Sequence, residues 1–203
     1  MNRRELLTTA GIGTAAAFSV LAASRGHAQT SSTSVNVLIV YHSVSGNTAK
    51  MAQGVADGAN AVLGASVILK RVDEITADDL LAADAVIVGS PVYFGTMSGE
   101  VKSFFDNWLL KFGVFREFKM RNKVGGAFST GAGLSNGKEA TTLAILGAML
   151  VNQMIIVGGG GAFGASATTG AESPGIDEKE LIAARDLGKR VAELTVVFKR
   201  RLQ

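Results

Sequence analysis

The sequence predicts an α/β domain in which a parallel sheet is wound with helices on both faces, and three observations predict it. Five short apolar runs, at 35–41, 67–69, 85–89, 124–129 and 154–157, have the length of buried strands. Segments of helical periodicity separate them. The chain has 203 residues, 47% hydrophobic and 18% charged, which suits one globular domain with a sizeable core and is too short for two full α/β domains. Strands alternating with helices through right-handed crossovers give a three-layer, doubly wound sheet. Ligands then bind at the carboxyl ends of the strands, which directs attention to the loops after strands one, three and four.

Each element has its own signal. Val35–Tyr41 is the first strand, and a helix over 48–63 places Met51, Ala52, Val55, Ala59, Val62 and Leu63 on one face before Gly64 ends it. Val67–Leu69 is the second strand. Thr76, with Asp78 and Asp79 behind it, starts a short helix. Ala85–Gly89 is the third strand, and Ser98 caps a helix whose Val101, Phe104, Phe105, Trp108 and Leu109 recur at helical spacing. Val124–Ser129 is the fourth strand. Asn136 with Glu139 reads as a capping box for a helix to about Val151. Met154–Val157 is the fifth strand, followed by a glycine-rich loop over 158–170. Asp177 with Glu180 caps a last helix whose Ala184, Leu187, Val191, Leu194 and Phe198 form its apolar stripe.

The amino terminus reads differently. Arg3-Arg4 precedes a weakly apolar stretch, 6–23, broken by Thr8, Thr9, Thr14, Ser19 and two glycines, and Arg25 leads into a small-x-small site, Gly26-His27-Ala28. This is the layout of a secretory signal over 1–28, and its low apolar density argues against a stable membrane anchor. The paired arginines and modest hydrophobicity resemble a twin-arginine (Tat) signal, which implies export of a folded protein, in bacteria to the periplasm. Residues 29–34 form a polar linker, and 35–203 the domain.

Composition excludes several chemistries. With no cysteine there is no disulfide, thiolate metal site or cysteine nucleophile, and His27 and His42 alone do not build a zinc site. No metal site is expected, and no protein acid or base is indispensable. The chain carries 20 Lys and Arg against 17 Asp and Glu; setting aside Arg3, Arg4, Arg25 and Glu5 leaves 17 against 16. That balance, without a basic run interleaved with aromatics, argues against nucleic acid as a partner. Hard chemistry is better sought in a bound organic cofactor.

Three loops suggest which cofactor. Ser43-Val44-Ser45-Gly46-Asn47-Thr48 joins the first strand to a helix start, where hydroxyls, a permissive glycine and free helix N–H groups make a neutral anion cradle. It is neither Gly-x-Gly-x-x-Gly nor a P-loop. The second loop is Gly89 through Gly99, with Pro91-Val92-Tyr93-Phe94-Gly95 at its centre. The third is Phe128 through Gly137, with Ser129-Thr130-Gly131 and Gly133.

In combination these motifs resemble the WrbA family of NAD(P)H:quinone oxidoreductases, flavodoxin-like FMN proteins, over nearly all of 35–198. Further matches are Phe163-Gly164-Ala165 through Thr169-Gly170, and Glu180-Leu181 with Ala184-Arg185. The resemblance implies strand order 2-1-3-4-5, with FMN phosphate on Ser43, Val44, Ser45, Gly46, Asn47 and Thr48. It implies isoalloxazine contacts at Pro91, Val92, Tyr93, Phe94, Gly95, Ser129, Thr130, Gly131 and Gly133. Trp108 is either an aromatic approaching the flavin face or a core residue beside Phe104 and Phe105. Where the family commonly has a histidine before the fifth strand, this chain has Asn152, which donates a hydrogen bond but carries no proton at neutral pH. His42, beside the first loop, reads as structural.

The resemblance further implies electron transfer from NAD(P)H to a quinone and a homo-oligomer, a dimer or tetramer. Two other functions stay open: a flavodoxin-type electron carrier, and a non-catalytic exported flavin-binding protein. Scarce NAD(P)H outside the cytoplasm favours the alternatives; a near-neutral domain, without the acidic rim that steers carriers, favours the enzyme.

Overall fold

The computed structural model describes residues 34–170 and 175–202; the export signal expected over 1–28 and the linker as far as Thr33 lie outside the described residues. The order is β1 Val35–Tyr41, α1 Asn47–Asn60, β2 Ala65–Arg71, α2 Ala77–Ala82, β3 Ala85–Tyr93, β4 Thr96–Met97, α3 Gly99–Leu110, β5 Val124–Gly131, α4 Lys138–Val151, β6 Ile155–Ile156, β7 Ala165–Thr168 and α5 Glu178–Leu202. Hydrogen-bonded neighbours run β2-β1-β3-β5-β6, all parallel, with β4 antiparallel to β3 and β7 parallel to β5. This is the expected doubly wound order; the numbering shifts only because the short β4 intervenes.

The period-two geometry of β1 divides the core. Val35, Val37 and Ile39 face the layer built with α1 and α5, and Leu38 and Val40 face the layer holding Leu80 of α2, Phe104 and Trp108 of α3 and Ile145 of α4. Three expected caps are present. Thr76 and Asp79 exchange hydrogen bonds at 3.2 and 2.9 Å, Ser98 accepts from the Val101 N–H at 3.4 Å, and Asp177 and Glu180 exchange bonds at 2.9 and 3.1 Å.

Several expectations are corrected. The first helix ends at Asn60, so Leu63 is exposed rather than on its buried face. The chain has to turn back for Ala65 to pair with Val35, and Gly64 does so at φ +89°. Asn136 does not cap α4; Gly137, at φ +97°, starts it without a side-chain cap, and the Asn136 amide bonds Ala132 N–H and Gly133 O within its own loop. Strands three and four are longer than expected, since Ser90 and Pro91 continue the ladder opposite Ser129 and Thr130. The fifth strand is split: β6 pairs only with Val124 and Gly125, while β7, inside the expected glycine-rich loop, pairs with 128–131. Leu109 and Phe198 are partly exposed, because α3 and α5 bury narrower stripes than their apolar spacing suggests.

Small residues seat α1 on α5. A Cβ on Gly58 would lie 1.9 Å from the Arg185 carbonyl oxygen, one on Gly188 would lie 1.9 Å from that of Val55, and Gly54 faces Ala184. The backbones thus approach more closely than any side chain permits. Gly188→Ala should raise helix propensity by about 1 kcal/mol yet lower stability overall by about 1–3 kcal/mol through overpacking; a urea unfolding midpoint checks the sign.

Candidate cofactor site

At the carboxyl end of β1 the chain enters α1 through Gly46, held at φ +87°, and no side chain caps the helix. α4 likewise starts on a left-handed glycine without a cap, whereas α2, α3 and α5 are all capped by side chains. The first N–H groups of a helix have no intrahelical partner and carry its positive end. The loop leading into α1 also holds a buried hydroxyl, Ser43 Oγ, that has no hydrogen-bond partner. Ser45 Oγ accepts from the Asn47 amide at 3.2 Å. The neighbouring cations are spent on carbonyls: Arg71 donates to Ser43 O at 3.1 Å and Lys50 to Ile176 O at 2.9 Å. What remains for an anion is a neutral set of N–H and O–H donors, the donor chemistry of a phosphate cradle.

The second loop is a hairpin. Val92 pairs with Met97 and Tyr93 with Thr96, and the two tip residues, Phe94 at φ +50° and Gly95 at φ +83°, both occupy the left-handed region, as a two-residue turn of this hand requires. A bulky phenylalanine in that region is strained, and its ring is fully exposed. The loop is closed at its base by Ser90 Oγ, which accepts from Ser98 N–H at 2.9 Å and donates to Pro91 O at 2.7 Å.

The three loops are tied in pairs. Thr48 Oγ1 and Thr130 Oγ1, both buried, lie 2.8 Å apart and join the first loop to the third. The second and third meet at Gly95 and Gly137, where a Cβ on Gly137 would sit 2.6 Å from Gly95 O. The first and second are joined by His42, whose N–H donates to Gly89 O at 3.2 Å and whose Nδ1 lies 2.9 Å from Ser98 Oγ. Lys138 holds the third loop from behind, donating to Gly133 O at 2.5 Å, Leu134 O at 3.2 Å and Thr168 Oγ1 of β7 at 3.0 Å. Val44, Phe94 and Leu134, one from each loop, are strongly exposed apolar side chains.

The structure brings the three loops picked out from the sequence to neighbouring positions and qualifies individual residues. Ser129 points its hydroxyl away: it donates to Lys138 O at 3.0 Å and accepts from Thr142, so only its backbone faces the loop. Gly131 has no room for a side chain, since a Cβ would meet the Asn136 amide at 2.3 Å. Trp108 takes the core alternative: it is buried against Phe104 and Phe105, at 5.6 and 5.1 Å between ring centroids. Asn152 ends α4, donates to Ala148 O at 2.8 Å, and lies with Trp108 in the wall of a cavity of about 700 Å³ between α3 and α4, apart from the phosphate cradle. Sequence reasoning missed Ser90, Gly137, Lys138 and the contacts of His42. Only Gly137 had a readable signal, an Asn-Gly step before a helix. Among the described residues no cluster of three or more His, Asp or Glu could hold a metal, and no helix is long and apolar enough to cross a membrane.

Comparison with known proteins agrees with this geometry. Residues 68–169 match the family described as NADPH-dependent FMN reductase. A NAD(P)H dehydrogenase (quinone) from Archaeoglobus fulgidus is 36% identical over 187 residues, covering 78% of this chain and 96% of that protein. A flavodoxin from Aquifex aeolicus is 39% identical over 169 residues, covering 80% and 88%. Among solved structures, a WrbA-like flavodoxin from Agrobacterium tumefaciens superposes with a TM-score of 0.67 at 29% identity, covering 80% of this chain and 98% of that one.

The Thr48–Thr130 bond is directly testable. Either Thr→Val change alone strands a buried hydroxyl and should cost about 1–3 kcal/mol. The double variant should cost less than the sum of the two, a coupling that urea denaturation of all four proteins measures.

Proposed function

The chain belongs to the NADPH-dependent FMN reductase family, and from that premise we propose that it is an FMN-dependent oxidoreductase passing two electrons from NAD(P)H to a quinone. The observation that carries the reading is the uncapped, left-handed start of α1 beside the unpartnered, buried Ser43 hydroxyl. α2, α3 and α5 are capped by side chains, whereas the start of α1 keeps its N–H and hydroxyl donors available, as a bound phosphomonoester requires.

The residues present fit FMN. Ser43, Ser45, Asn47, Thr48 and the first N–H groups of α1 would hold the phosphate. The backbone of Pro91–Gly95 and of Ser129–Gly133 would flank the ring, with Tyr93, Phe94 and Leu134 shielding it from water. Bound FMN supplies the redox chemistry, accepting hydride from reduced nicotinamide and returning two electrons to the quinone. The protein's part is positioning: the tied loops fix the ring's edge, and uncharged donors stabilise added negative charge without a titrating acid or base.

Two further features belong to the same reading. The molecule is exported through a twin-arginine route to the periplasm; the motif at Arg3-Arg4 and the site at Gly26-His27-Ala28 support this, and a folded-cargo route suits a protein that carries a dissociable cofactor. It also assembles as a homo-oligomer. Exposed Leu109 and Leu110 of α3 and Val151 of α4 line one cavity wall, with exposed Leu143 and Leu150 on the same helix α4, and such apolar exposure supports an interface between copies. A flavodoxin-type carrier is the second reading, favoured by the 39% identity to the Aquifex protein.

Anaerobic titration separates them. The purified domain should be yellow, NADH or NADPH should bleach it within turnover time, and benzoquinone should restore the colour. Bleaching that fails with both nucleotides, together with a stable one-electron form on photoreduction, selects the carrier. Leu110→Asp with Leu150→Asp should shift the assembly towards monomer in sedimentation velocity.

A further inference from the structure

His42 stands outside the cofactor cradle, is 5% exposed, and makes more cross-element contacts than a filler needs. Its backbone holds β3 at Gly89. Its Nδ1 lies 2.9 Å from Ser98 Oγ and 3.0 Å from the Glu100 carboxylate, and its ring meets Tyr93 edge-on at 6.4 Å. Ser98 in turn closes the base of the Pro91–Gly95 hairpin through Ser90. The next residue along from His42 is Ser43, the start of the phosphate loop. One imidazole therefore fixes both the loop that takes the phosphate and the hairpin that flanks the ring.

We propose that His42 is a positioning residue that latches these two loops together through Ser98 and Glu100, and that the latch tightens when the imidazole is protonated, so that FMN affinity follows the charge on His42. The proposal rests on the cofactor reading above and adds to it a control on the same site.

The partner chemistry supports it. The Glu100 carboxyl is held below the usual carboxylate range by its own backbone N–H, then by His42 and the Ser98 hydroxyl, against the opposing effect of burial. It is thus ionised wherever an imidazole changes charge, between about pH 5 and 8. Because a carboxylate and a serine oxygen both accept at Nδ1, that nitrogen carries the proton in either state, and acidification adds charge to the ring without breaking the contact. The other groups facing His42 are Tyr93 at the end of β3, and Arg71 and Asp73 across a polar cavity of about 640 Å³ between the end of β2 and α3. Arg71 and Asp73 pair with each other at 3.3 Å, leaving Glu100 as the carboxylate in contact with the imidazole. Nothing in the family resemblance assigns this role.

The test is FMN affinity, read by fluorescence quenching on the purified protein from pH 5.5 to 8.5, in wild type, His42→Ala, His42→Asn and Glu100→Gln. Comparison at each pH cancels the titration of FMN's own phosphate, which all four proteins share. His42→Ala should weaken binding about tenfold, equivalent to about 1.4 kcal/mol, and His42→Asn should recover most of that at pH 8.5. Relative to wild type, both His42→Asn and Glu100→Gln should fall behind by a further three- to tenfold as the pH drops to 5.5. A ratio to wild type that stays constant across the range for both variants overturns the proposal, whatever the alanine variant does. Glu100 is more than half exposed, so the Gln variant keeps the test open if His42→Ala fails to fold. A wild type that binds no FMN at any pH overturns the cofactor reading and this proposal with it; a wild type that binds FMN with constant ratios overturns this proposal alone.

Discussion

The structure depends on where α1 begins. Its first turn has no side-chain cap, so the positive end of a 14-residue helix is available to a group outside the chain. That start is useful only if it cannot move. β1, an interior strand of the sheet buried on both faces, fixes it from one end. The glycine contacts with α5 fix it along its length, bringing the backbones so close that Gly58 and Gly188 leave no room for a methyl group. Fold and site share a cause, since the close packing that stabilises the layer also aims the helix at its ligand.

A rigid helix start suits an anion, and three ties hold the loops around it to one another. Each tie is chemically different. Two threonine hydroxyls join the first and third loops, a glycine-to-backbone contact joins the second and third, and an imidazole joins the first and second. None uses a fixed charge inside the cradle, where a buried ion would either need a partner or compete with the phosphate for its donors. The cations around the site, Arg71, Lys50 and Lys138, each donate to backbone carbonyls, with Arg71 also paired to Asp73 and Lys138 also bonded to Thr168, and so stiffen the loops.

The sequence revealed what depends on local pattern. Each buried strand of β1, β3 and β5 announced itself as an apolar run, and Thr76, Ser98 and Asp177 announced their helices, because a cap acts over three residues. The loop before α1 was legible for the same reason: its glycine, hydroxyls and helix start are contiguous. What failed was non-local or ambiguous. Asn136 and Glu139 had capping-box spacing, but the asparagine amide had a better use inside its own loop, and Gly137 took the helix start. The split between β6 and β7 could not be read from four apolar residues, since a strand of Ala-Ser-Ala-Thr has no hydrophobic signature and exists because β5 offers it an edge. Trp108 satisfied two descriptions equally at the level of spacing, and only packing against Phe104 and Phe105 decided between them. His42 was hardest, because its partners lie 56 and 58 positions further along the chain.

The same physical reading bears on enzyme against carrier. A protein that hands single electrons to protein partners benefits from a one-signed field that steers the encounter. This domain, with 17 basic against 16 acidic residues beyond its first 28, has little net field to offer. Its three loops instead carry exposed, uncharged Val44, Phe94 and Leu134. Exposed apolar side chains cost solvation and are compensated when a flat, largely apolar molecule covers them. Nicotinamide and quinone rings are such molecules, and neither needs charge to find the site. Phe94, at the tip of the hairpin, holds a bulky side chain in the left-handed region, and such strain persists where the placement of the side chain matters.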